Sequence, residues 1–233
     1  MTSASPSQAT AAGRLADARQ RIADAAERSG RSPHAITMVA VSKAFGADAV
    51  RAVRDSGQVD FGESRAQELE AKAREVGPGV RWHFVGRLQR NKVKVVVSLA
   101  GLVHSVDREP LALAISERAA AAGRVQPILV QVNVGEDPAK AGVALPETAA
   151  AVARVRELGG VACQGLMTIP PAGVDPRPLF ARLRVLRDEL REQFPEVQHL
   201  SMGMTQDFEV AVEEGATIVR LGEAVFGPRP VSA

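Results

Sequence analysis

The 233-residue chain has no tyrosine, one tryptophan and a single cysteine, Cys163. One thiol excludes an internal disulfide and suits a reducing compartment. Its place in a strand-like run reads as that of a small buried apolar residue. No run of about 18 apolar residues occurs, so nothing is expected to span a bilayer. The N-terminal MTSASPSQAT lacks the basic and apolar regions of a secretory signal. Basic residues form no block and the net charge is only +2, which argues against a nucleic-acid or membrane surface. No His/Cys/Asp spacing suits a metal site. What remains is an ordinary globular composition, 45% apolar, expected in the cytoplasm.

Lysine is scarce too: only five of the 29 basic residues are lysines (43, 72, 92, 94 and 140). One of them ends the apolar run ITMVAVSK, residues 36–43, which reads as a strand buried on both faces. A guanidinium cannot supply free amine chemistry, so Lys43 stands out as a candidate for it.

Residues 1–9 read as a flexible tail and 10–233 as one domain. From Ala11 to Arg28 the apolar spacing is helical, ended by Gly30 and Pro33. Strand-like runs follow at 36–42, 59–61, 81–85, 102–106, 127–134, 161–169, 197–201 and 216–221. Helix-like segments separate them, near 46–57, 64–76, 88–99, 108–123, 146–158, 176–193 and 205–214, with a last short one near Gly222. Eight β/α units point to a closed (β/α)8 TIM barrel with an extra N-terminal helix; an open doubly wound sheet is the rival.

A parallel barrel presents all its strand C-termini on one face, where active sites sit. Ser42-Lys43 ends the first strand there. Ser201-Met202-Gly203-Met204-Thr205 follows the seventh strand, and Arg220-Leu221-Gly222 ends the eighth. Glycines and hydroxyls at these two loops suit a phosphate, which recurs after strands seven and eight of such barrels. An amine in a partly desolvated mouth reacts with an aldehyde. A ligand carrying both groups would be held at both ends, and pyridoxal 5′-phosphate (PLP) fits that description. Arg220 could face the pyridine nitrogen as a pure donor, leaving it unprotonated and a poor electron sink. The plainer readings are a snorkelling Lys43, two ordinary turns, and an Arg220 paired with Glu223. His83, His104 and His199 read as packing residues, with His83 nearest the mouth; Lys140 reads as a loop lysine, and the Arg-rich stretch 177–191 as a wet helix face.

The segments VAVSK (39–43), FGESRAQE (61–68), RWHFVGRLQRNK (81–92), LVHSVD (102–107), LVQVNV (129–134), GLMTIPP (165–171), SMGMTQDFEVAVEEGATIVRLG (201–222) and FGPRP (226–230) resemble the pyridoxal phosphate homeostasis proteins. The resemblance implies a barrel like the N-terminal half of alanine racemase, without that enzyme's second domain. It implies PLP bound as a Schiff base on Lys43. Phosphate contacts are implied from Ser201, Met202, Gly203 and Thr205 and from Arg220 to Gly222, and ring contacts near Ser64, His83 and Met167. The chain departs from the family pattern at Ser64, where Asn is usual, at Thr205, where Ser is usual, and at Arg87, where many members have His.

A carrier that buffers PLP and hands it to apo-enzymes is the expected role, as a monomer or weak homodimer. The alternative is a PLP-dependent amino-acid racemase. Two-base racemisation needs a second acid/base, a tyrosine in alanine racemase, and this chain has none. A phosphosugar enzyme without PLP would want a carboxylate at the end of strand six, where Met167-Thr168 stands instead.

Overall fold

A computed structural model describes residues 10–228; the expected tail and the last two residues of FGPRP lie outside this range. Helix α1, Ala11–Arg28, buries the face carrying Leu15, Ala18, Ile22, Ala25 and Ala26. Its first turn is capped by Thr10, whose Oγ1 accepts the Gly13 N–H at 3.1 Å. Gly30, at φ +67°, ends it.

Eight strands then close a parallel barrel: β1 Thr37–Val41, β2 Asp60–Glu63, β3 Arg81–Phe84, β4 Ala100–Val106, β5 Gln126–Asn133, β7 Val161–Met167, β8 His199–Ser201 and β9 Ile218–Leu221. Each pairs with its predecessor in this series, and β9 pairs with β1 to close the ring. All eight expected strands are present. The two-residue β6, Val143–Ala144, pairs only with β5 and was not foreseen. Helices α2 Ala47–Asp55, α3 Ala66–Val76, α4 Val93–Leu99, α5 Glu109–Ala120, α6 Thr148–Arg156, α7 Arg177–Gln193, α8 Phe208–Glu213 and α9 Glu223–Phe226 complete the chain. Helix α8 starts at Phe208 rather than near 205, because Asp207 Oδ1 takes the Met204 N–H at 2.6 Å and holds 204–207 as a turn.

The apolar residues divide by strand parity. Val39, Val41, Leu102, Leu129, Met167 and Ile218 cluster inside the barrel. Phe61, Phe84, Leu166, Val219 and their neighbours pack outward against the helices in a much larger cluster. Each fully buried large side chain contributes about 1.5–3 kcal/mol relative to exposure. Cys163 is in this outer core, where burial pushes its thiol up to about 11 and leaves it inert. No helix among the described residues is long and apolar enough to cross a membrane.

Candidate functional site

Strands β1 and β9 are neighbours, with Val39 opposite Arg220 and Ala40 opposite Leu221. Both run the same way, so the chain just beyond each emerges on one rim. A Cβ on Gly222 would lie 3.5 Å from the Val41 carbonyl oxygen. Lys43, two residues past Val41, therefore stands beside the loop that follows β9. It continues the inward parity of Val39 and Val41 but is exposed, not partly desolvated as expected. Ala44, next to it, adopts φ +70°, an uncommon conformation for a residue with a Cβ.

The loop after β8 approaches the same rim. Gly203 has φ +91°, and a Cβ there would lie 2.6 Å from Ala211 Cβ and 2.9 Å from Phe208 Cα, so only glycine brings the loop this close to α8. Thr205 Oγ1 accepts the Ala224 N–H at 3.4 Å, tying this loop to the start of α9. Ser64 follows β2 on this rim, half-buried, its hydroxyl without a hydrogen-bond partner among the described residues. Gly86 is forced there: a Cβ would strike the Ser64 carbonyl oxygen at 2.1 Å. Lys140, in the loop after β5, reaches across to donate to the Pro170 carbonyl at 2.6 Å, so it is pinned at the rim rather than free in solvent.

Five other expected residues, Met167, Met202, Ser201, Arg220 and His83, lie deeper. Met167 is fully buried in the inner cluster. Met202 is buried in the outer core, and its N–H already bonds the Ile218 carbonyl at 3.1 Å. Ser201, expected to offer its hydroxyl to a phosphate, is fully buried and held by two side chains. Arg220 Nη1 donates to Ser201 Oγ at 2.7 Å, while Arg220 Nη2 donates to the Thr168 carbonyl at 2.9 Å. Burial lowers the Arg220 guanidinium to about 10, which still leaves it protonated at neutral pH.

Ser201 belongs to a line of hydrogen bonds that crosses the barrel. His104 Nδ1 lies 2.8 Å from Ser201 Oγ, His83 Nδ1 2.9 Å from His104 Nε2, and Asp60 Oδ1 2.9 Å from His83 Nε2. Since β4 and β8 are not neighbours, the His104–Ser201 bond must span the interior. At the far end Arg81 pairs with Asp60, with Nη2 at 2.7 Å from Oδ2. With both imidazoles neutral, donor logic orders the protons along the line. Ionised Asp60 accepts from His83 Nε2–H, His83 Nδ1 accepts from His104 Nε2–H, His104 Nδ1 accepts from the Ser201 hydroxyl, and Ser201 Oγ accepts from Arg220. Burial first, then the positive charges of its neighbours, push the His104 imidazole well below its ordinary range and keep it neutral. Burial acts to raise the Asp60 carboxyl, but hydrogen bonds from His83 and Arg81 outweigh it and hold it at about 2. His83, expected to line the mouth, is thus a buried link directed down the barrel. Asp60 and its line to Arg220 were missed; the polar residues at 60, 83 and 104, inside strands otherwise buried, were the available signal.

A second buried polar group lies outside the barrel wall, beneath the Lys43 segment. Lys72 Nζ, on α3, sits 2.5 Å from Glu63 Oε1, 2.8 Å from the Ser42 carbonyl and 3.2 Å from Glu68 Oε2. The Ser42 hydroxyl donates to Glu63 Oε1 at 2.5 Å. Glu63 Oε2 has no partner among the described residues, and burial, opposed by Lys72 and Ser42, leaves the Glu63 carboxyl raised.

A parallel barrel with a lysine after its first strand and tight glycine loops after its last two defines the class. Residues 14–230 match the family described as alanine racemase, N-terminal domain. Alanine racemase of Clostridium difficile 630 shares this fold, with TM-score 0.72 at 15% identity over 94% of this chain and 57% of that one.

The chain belongs to the family of pyridoxal phosphate homeostasis proteins. It is 42% identical over 221 residues to the protein of that name from Aquifex aeolicus, covering 93% of this chain and 97% of the relative. The Escherichia coli K12 protein of the same name is 37% identical over 225 residues, covering 94% and 96%. PipY of Synechococcus elongatus PCC7942, solved with PLP bound, superposes with TM-score 0.83 at 36% identity, covering 93% of this chain and all of that one.

Proposed function

We propose that this protein binds pyridoxal 5′-phosphate as a Schiff base on Lys43 and serves as its intracellular reservoir and carrier. The observation that carries the reading is the pairing of β1 with β9, which sets Lys43 and the Gly222 loop on one rim. The site also fits the cofactor's phosphate: Gly222 leaves backbone open where a side chain would stand, Gly203 lets the loop after β8 pack down on α8, and Thr205 ties the two loops together.

Lys43 Nζ would hold the cofactor at its aldehyde end, where the bound group would supply a reversible covalent tether. The chain's own residues do the rest. The loops after β8 and β9 offer N–H groups to the phosphate. Arg220, fixed by Ser201 and the Thr168 carbonyl, presents only donors to the ring. An arginine facing the ring nitrogen leaves it unprotonated, which disfavours carbanion chemistry and suits holding the cofactor over transforming it. With no tyrosine in the chain, the second base that alanine racemase uses has no counterpart. Exposure of Lys43 suits transfer, because an acceptor's lysine can reach the tether. The receiving partners are apo-enzymes that use PLP, in the cytoplasm.

Borohydride reduction of PLP-loaded protein followed by peptide mapping should place the pyridoxyl group on Lys43, and Lys43→Ala should lose the visible absorbance band. A label elsewhere, or no band on adding PLP, overturns the reading. Incubation with L- or D-alanine should leave chirality unchanged; sustained racemisation would favour the enzyme alternative.

A further inference from the structure

The opposite end of the barrel holds a cavity of about 590 Å³, lined among others by Arg31, Arg184, Arg187, Arg191, His199 and Glu213. It opens at the strand N-termini: Ala35 precedes β1, His199 begins β8 and Thr217 precedes β9. The whole strand layer therefore separates it from the Lys43 rim. Three of its arginines stand on one face of α7, at spacings of three and four residues.

These cations are not balanced by the carboxylates around them. Glu213 is engaged by Arg28 at 2.9 Å and by Arg177 at 2.6 Å. Glu214 is shared between Arg177 and Arg184. Arg187 meets Asp188 and donates to the Gln198 carbonyl, and Arg31 donates to the Val212 carbonyl. Arg191 has no partner among the described residues. Burial, and then the positive charge of Arg187, weakens proton holding at both Arg31 and His199. Positive charge gathered in a concavity in excess of the carboxylates around it costs stability unless an anion fills it.

We infer that this cavity is a second ligand site, for a small phosphorylated anion. Guanidinium forks match phosphate oxygens in pairs, and several of them converging suit two or more negative charges. A cavity of this size takes a metabolite rather than a protein surface. The inference is independent of the cofactor reading, since it uses none of the rim residues.

The test is calorimetric titration of the full chain, already loaded with PLP, with inorganic pyrophosphate in 0.15 M salt. Saturable binding at one site per chain is expected, accompanied by a rise in melting temperature. Arg191→Gln, at an exposed residue without a partner, should fold normally and weaken binding by about tenfold. No saturable binding, or equal binding by Arg191→Gln, overturns the site. Binding of a poly-glutamate peptide in place of pyrophosphate overturns it in favour of a protein-docking surface.

Discussion

Inside the barrel, the line from Arg81 through Asp60, His83, His104 and Ser201 to Arg220 leaves no buried polar atom without a partner. A few ångströms away, across the wall of β2, Lys72 and Ser42 crowd onto one oxygen of Glu63 and leave the other bare. Both networks are buried and both draw on β2, whose alternate residues face opposite sides: Asp60 inward and Glu63 outward. The difference teaches what each contributes. Paired along its whole length, the inner line fixes the Arg220 guanidinium beneath the rim. The Glu63 carboxylate is held through one oxygen, by its counter-ion and the Ser42 hydroxyl, and the loop carrying Lys43 rests on that pair through the Ser42 carbonyl.

Breaking the outer network should have the largest effect. Lys72→Met removes the cation paired with Glu63 and strands a buried carboxylate, at a cost of about 3–5 kcal/mol near neutral pH. The folded-state pKa of Glu63 is already above its unfolded value, so the group favours folding at acidic pH and loses that contribution as pH rises through the folded pKa. Loss of Lys72 raises it further. The stability deficit of the variant in urea unfolding should therefore be small near pH 4 and large near pH 8. An equal deficit at both would mean that the lysine acts through packing alone.

The inner network should break more gently. The folded carboxyl of Asp60 lies at about 2 against 3.8 unfolded, so its ionised form stabilises the fold by about 2 kcal/mol above pH 4, a contribution lost as pH falls from 4 toward 2. Asp60→Asn should lose about that much at pH 7 and should flatten the acid limb of the stability profile. It should also weaken PLP binding, because the proton order that holds Ser201 toward Arg220 no longer has its anchor. A variant with unchanged acid unfolding would show that Asp60 is not the terminus of the line.

Most of the fold is legible because its strands are continuous apolar runs that alternate with helix-like segments. The boundaries that shifted did so for local reasons. Strand β2 runs through Gly62 and Glu63 despite their polarity, since Gly62 admits Val39 and Val41 against its backbone and Glu63 is neutralised from α3. Rim residues such as Lys43, Gly203 and Gly222 are legible from their place at strand ends. Lys72 is not: in AQELEAKAREV it looks like part of a wet helix face, and only its partner on β2 draws it inside. Ser201 and Met202 show the converse. Their spacing suits a ligand loop, yet one hydroxyl is committed to Arg220 and one N–H to β9, facts of tertiary pairing that no spacing contains.

Arg81 gives the finest test of the contrast, and the smallest effect. It is the end of the inner line, but its side chain is 61% exposed, where Asp60 is 12% exposed. Solvent and salt screen such a cation, so Arg81→Gln should cost less than about 1 kcal/mol at 0.15 M salt, under half the cost of Asp60→Asn. Its removal takes one of two donors from Asp60, so the carboxyl should titrate higher than about 2 but stay depressed by His83, and acid unfolding should begin at slightly higher pH. The wild-type advantage over the variant should shrink with added salt. If Arg81→Gln instead costs as much as Asp60→Asn, the line is anchored at the barrel floor by the arginine, and the interior histidines follow the ion pair rather than hold it.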